Sequence, residues 1–147
     1  MNRSLIASSN ILINASPEKI WDVLTDPEKI KIYLYDTNVQ TDWKKGSPIN
    51  FQGKYEGKQY NDKGKVIENI PFKLLKYNYW SSLSGLEDKE ENHSIVTYTI
   101  EPVNENVCQF TWHQQGFSNE EGKCHTEEGL KTMLNQVKEF ATSLKQE

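Results

Sequence analysis

Between Ile95 and Leu144 the spacing of apolar residues changes period once, and the change falls after residue 112. Residues 95–100 and 107–112 place their apolar side chains in the two-residue rhythm of β-strands. Beyond them Leu130, Met133, Leu134, Val137, Phe140, Ala141 and Leu144 return every three to four residues, the repeat of an α-helix. A long amphipathic helix therefore closes a chain that is otherwise mostly strand. Its apolar stripe has to lie on a sheet, because it is unstable in water. The surface between helix and sheet is then either a filled core or a pocket.

The same reading places the other elements. Leu5, Ala7, Ile11 and Ile13 mark a first strand over residues 5–14. Ser16-Pro17-Glu18 is a helix start: a capping hydroxyl, a proline at the first helical position and an acid at the positive end of the dipole. A helix over residues 17–24 should bury Ile20, Trp21 and Leu24. Thr25-Asp26-Pro27-Glu28 repeats the signal, so a second short helix is expected over residues 27–33. Asp42 to Gly46 reads as a turn anchored by Trp43. Ile49, Phe51, Gly53 and Tyr55 alternate with Pro48, Asn50, Gln52 and Lys54 as a strand with one wet face. Residues 61–64 (Asn-Asp-Lys-Gly) read as a turn, followed by a strand over 65–69. Leu75, Tyr77 and Tyr79 mark the next strand. Polar loops are expected over residues 84–93 and 116–123, the second leading into the final helix. Short turns between consecutive strands imply antiparallel pairing.

Composition narrows the class. At 147 residues one domain, residues 1–147, is expected, with enough chain for a real core. The apolar fraction is 35%, but 7 Tyr, 5 Phe and 4 Trp bury much area each, so disorder is rejected. The net charge is −4 and the lysines are interleaved with acids, which argues against nucleic acid as a partner. Cys108 and Cys124 do not make a disulfide framework and read as reduced thiols of a cytoplasmic protein. No apolar run approaches the ~18 residues of a membrane span.

Candidate chemistry is sparse. His113, Cys124 and His125 lack the paired spacing of a zinc site, so no metal and no cofactor is expected. His113 should also face away from Phe110, Trp112 and Gln114 on its strand. A Cys/His nucleophile pair has no third group placed by any motif. Lys44-Lys-Gly-Ser47 lacks the upstream glycine of a phosphate loop. No catalytic residue is assigned. What remains is a set of rings and hydroxyls on the inferred inner faces: Phe51, Tyr55, Tyr77, Tyr79, Tyr98, Phe110 and Trp112. They form either a plain core or the wall of a pocket, mostly apolar with a few polar points.

In order and spacing, several segments resemble the START-like (SRPBCC, helix-grip) superfamily, and within it the branch of activator of heat-shock protein 90 ATPase homologues. They are residues 15–21 (Ala-Ser-Pro-Glu-Lys-Ile-Trp), 24–28 (Leu-Thr-Asp-Pro-Glu), 42–46 (Asp-Trp-Lys-Lys-Gly) and 64–66 with Pro71 and Leu75. Residues 111–117 (Thr-Trp-His-Gln-Gln-Gly-Phe) and Gly129-Leu130 with Leu134 complete the match. The resemblance implies an α+β helix-grip fold: a curved antiparallel sheet of six to seven strands around a long C-terminal helix, with two short helices after the first strand. It also implies a cavity between sheet and helix. Many members carry Gly-Trp where this chain has Gly129-Leu130, so one wall of that cavity differs here. The expected function is non-catalytic binding of a small hydrophobic or amphipathic molecule, lipid-like or polyketide-like. The expected contacts are the rings above with Tyr33, Tyr35, Gln114, Leu130, Met133, Leu134 and Val137, and Tyr33 and Tyr35 would stand at the entrance. The rival is a protein–protein module regulating a chaperone ATPase or a stress response. A cyclase-like enzyme comes third and would need an acid or base inside the cavity; none of the inferred inward positions is His, Asp or Glu. A monomer or weak homodimer is expected.

Overall fold

Each local signal that opens a helix is used. In the computed structural model, which describes residues 1–34, 36–55, 57–82 and 85–143, Ser16 caps a helix α1 over Pro17–Thr25 by accepting from the Lys19 N–H at 3.3 Å. Asp26 then does two jobs. Its N–H bonds to the Asp22 carbonyl and closes α1, while its carboxylate accepts from Glu28 N–H and opens α2 over Pro27–Tyr33. The proline that follows forces this break. α1 buries Ile20, Val23 and Leu24; Trp21 is only half-buried, with its ring edge against Phe72 rather than in the core.

Around these helices runs one seven-stranded antiparallel sheet. Its strands are β1 (Asn2–Ile13), β2 (Asn38–Gln40), β3 (Pro48–Tyr55), β4 (Lys58–Ile70), β5 (Leu74–Trp80), β6 (Ser94–Pro102) and β7 (Cys108–Phe117). The spatial order is β1-β7-β6-β5-β4-β3-β2, so β1 closes one edge against β7 and all other pairs are neighbours in sequence. The long helix α3 (Glu120–Ser143) lies across the sheet, packed mainly along β1 and α1. This is the helix-grip architecture. The core is one continuous cluster joining sheet, α1, α2 and the C-terminal half of α3.

Three sequence expectations change. The turn expected at residues 61–64 is the middle of β4: the register pairs Tyr55 with Lys58, and Gly57, at φ +81°, sits in that reversal. Gly64 lies in β4 because nothing larger fits there. A Cβ on it would stand 2.0 Å from the Asn78 carbonyl oxygen of β5. The loop expected over residues 116–123 shrinks to Ser118 and Asn119. Gly116 and Phe117 extend β7, and the Asn119 side chain accepts from Gly122 N–H at 2.8 Å, starting α3 at Glu120. Finally, β2 was not signalled; its three residues pair with β3 through Asn38–Gln40.

Candidate functional site

The helix α3 is two helices chemically. From Leu130 onward it presents Leu130, Leu134, Val137 and Ala141, each no more than 1% exposed, with Met133 beside them. Before Leu130 come ten residues without a large apolar side chain, among them Glu121, Gly122, Cys124, His125 and Glu128. At ~1.5 Å per residue, about 15 Å of helix stands over the sheet with nothing to fill the gap. The result is a cavity of about 880 Å³ under the N-terminal half of α3.

Aromatic rings make its floor. On the inner face of the sheet Phe51 meets Tyr79 at 5.3 Å and Tyr77 at 5.9 Å; Tyr77 meets Tyr98 at 5.6 Å, and Tyr98 meets Trp112 at 4.6 Å. Such offset and edge-on pairs add stability beyond buried area. Of the fourteen contact residues expected from sequence, Phe51, Tyr77, Tyr79, Trp112 and Gln114 line the cavity. Tyr98, Phe110, Leu130, Met133, Leu134 and Val137 lie in the packed core. Tyr33, expected at the entrance, is also core: it is 2% exposed and its hydroxyl donates to the Leu24 carbonyl at 3.3 Å. Leu34 and Thr37 line the cavity instead. Tyr35, Leu144 and the side chain of Tyr55 lie outside the described residues.

The inward tyrosine hydroxyls are taken up by hydrogen bonds within the fold. Tyr77 and Tyr98 share a hydrogen bond of 2.6 Å, and Tyr60 shares one of 2.5 Å with Thr37. Burial, above all, raises the Tyr33, Tyr77 and Tyr98 hydroxyls well past the ordinary phenol range. For Tyr79 the negative charge of Asp62 adds to burial.

The polar points of the cavity are elsewhere. Asp62 is 6% exposed and points inward from β4. Its carboxylate accepts a hydrogen bond from the Tyr79 hydroxyl, and from the Ser82 N–H and hydroxyl at 2.8 and 3.1 Å. The Asn-Asp-Lys-Gly string hid it, because turn chemistry and a strand with one buried acid look alike in sequence. Strand alternation through Tyr60, Asp62 and Gly64 was the available signal. Gln114 donates to the Ser94 hydroxyl at 3.4 Å. The indole N–H of Trp112, a residue only 5% exposed, has no hydrogen-bond partner among the described residues. His113 faces away from these residues, as expected. Among the described residues no group of His, Cys, Asp or Glu could hold a metal, and no helix is long and apolar enough to cross a membrane. Cys108 is buried and Cys124 exposed, and both are free. The arrangement can sequester an amphipathic molecule: rings below, a donor at Trp112 and a carboxylate at one end.

Residues 14–142 match the family model described as activator of Hsp90 ATPase homolog 1-like protein. A Cytophaga hutchinsonii protein known from its solution structure is 35% identical over the full length of both chains, with a TM-score of 0.81. The Aha1 dimer from Colwellia psychrerythraea is 20% identical, covering 90% of this chain and 92% of its own, with a TM-score of 0.70. An Hsp90 activator from Plasmodium falciparum is 14% identical, covering 90% and 93%, with a TM-score of 0.72. No curated protein matches the sequence.

Proposed function

The chain belongs to the family of activator of Hsp90 ATPase homolog 1-like proteins, and from that premise we propose that it reversibly binds a small amphipathic molecule under the N-terminal half of α3. The observation that carries the reading is the cavity itself, together with the unpartnered indole N–H of Trp112, which lines it. A buried donor without an acceptor costs ~1–3 kcal/mol, so a ligand oxygen set against the indole would add to binding. The apolar body would lie on Phe51, Val96 and Trp112. The proposed function needs no turnover. Asp62 is tied down by three donors rather than poised beside a partner base.

Native mass spectrometry of protein purified without detergent, followed by titration with ligands of graded chain length, tests this. The expected outcome is a saturable one-to-one complex whose ligand is recovered unchanged. A chemically altered ligand would favour the enzyme reading.

A second reading is a protein module that stimulates a chaperone ATPase, and the family's description favours it. It requires no ligand. Stimulation of an Hsp90-type ATPase by this protein, with no small-molecule binding, would select it.

A further inference from the structure

We infer that the ligand of this cavity carries a cationic head group, an ammonium that docks on Asp62. The inference rests on the binding reading above and specifies its ligand. A buried charge is costly unless it is paired. Among the described residues Asp62 makes no ion pair. Its neighbour Lys63 points to the other face of β4 and pairs with Asp88, and no ion pair joins Asp62 to Lys54, which also lines the cavity. Its three hydrogen bonds come from neutral donors.

The acceptor count points the same way. A carboxylate offers about four lone-pair sites. Oδ1 accepts twice from Ser82, and Oδ2 accepts once from Tyr79. Among the described residues one site on Oδ2 is left for a donor on a ligand. The surrounding wall suits a cation. Glu121 and Glu128 line the same cavity against Lys54 and His125, and Tyr79 packs its ring edge-on with Phe51 beside the carboxylate. Ring faces and carboxylates both attract ammonium groups. The unpartnered, nine-tenths buried indole N–H of Trp112 is an independent sign that the cavity is built for an occupant. It asks that the body of the ligand also carry an oxygen acceptor. An amino alcohol or amino amide on an apolar frame meets both requirements.

The test uses three probes of one chain length, decylamine, decanol and decanoate, titrated calorimetrically into the wild-type protein and Asp62→Asn at neutral pH. In wild type the amine should bind about tenfold tighter than the alcohol, and the acid most weakly, since charge-assisted hydrogen bonds are roughly twice as strong as neutral ones. In Asp62→Asn, which can still accept from Ser82, the advantage of the amine should vanish while alcohol affinity stays within about twofold. Equal affinities in wild type would overturn the inference and leave the binding reading standing. So would an amine preference that survives in a folded Asp62→Asn protein. Binding of none of the probes would overturn both. Should the variant fail to fold, the wild-type series decides alone.

Discussion

At the scale of single residues the buried phenols make the most direct claim about pH. Tyr33, Tyr77, Tyr79 and Tyr98 all hold their protons above the ordinary range, first because they are buried. The unfolded chain releases those protons near pH ~10, so above that pH it binds fewer protons than the native state. Stability is therefore unaffected by these groups below pH ~10 and falls as pH rises beyond it. Denaturant titrations at stepped alkaline pH should show the fall, with tyrosinate absorbance of the buried set appearing only as the fold opens. Early ionisation of the whole set in folded protein would show the hydroxyls to be wet. Trp112 gives a second prediction. Trp112→Ala should cost ~3–5 kcal/mol, as large-to-small changes at buried rings do. Trp112→Phe should cost no more than ~1 kcal/mol, because the lost area is offset by removing an unpartnered donor. Comparison of the two unfolding midpoints decides. At this scale the sequence showed the rings but not their partners. Alternation assigns a face, whereas the pairing of Tyr77 with Tyr98 depends on the register of two strands twenty-one residues apart.

At the scale of elements two glycines should respond in opposite ways. Gly64 sits mid-strand with the Asn78 carbonyl where its Cβ would go, so Gly64→Ala should destabilise by ~1–3 kcal/mol or more. Gly129 lies inside α3 and an added Cβ would meet nothing within 4 Å. Gly129→Ala should therefore stabilise by ~0.5–1 kcal/mol, through helix propensity and a less flexible unfolded chain. Thermal unfolding of both variants checks the pair, and a shift of the same sign in both would contradict it. The helices were legible because caps are local: Ser16 and Asp26 act within three residues. The start of α3 was misplaced because its first ten residues carry no apolar period, only the Asn119 cap. The same polarity that hid the helix start creates the cavity.

At the scale of the molecule, element order and antiparallel pairing followed from period and turn signals, because one sheet and one amphipathic helix have few ways to bury their faces together. The position of the cavity did not follow. It depends on where the apolar stripe of α3 stops along the helix relative to the sheet, and the stripe from Leu130 to Ala141 packs into the core. The most direct measurement of the central claim is a two-dimensional NMR titration with an apolar amine, following the indole N–H of Trp112. Binding under the N-terminal half of α3 predicts saturable shifts of that resonance and of backbone amides of residues 121–128, with the indoles of Trp21 and Trp43 unmoved. Trp43 serves as an internal control, since its N–H already donates to the Thr25 carbonyl at 2.8 Å. Shifts confined to the surface around Trp21 and Phe72, with Trp112 silent, would contradict the account.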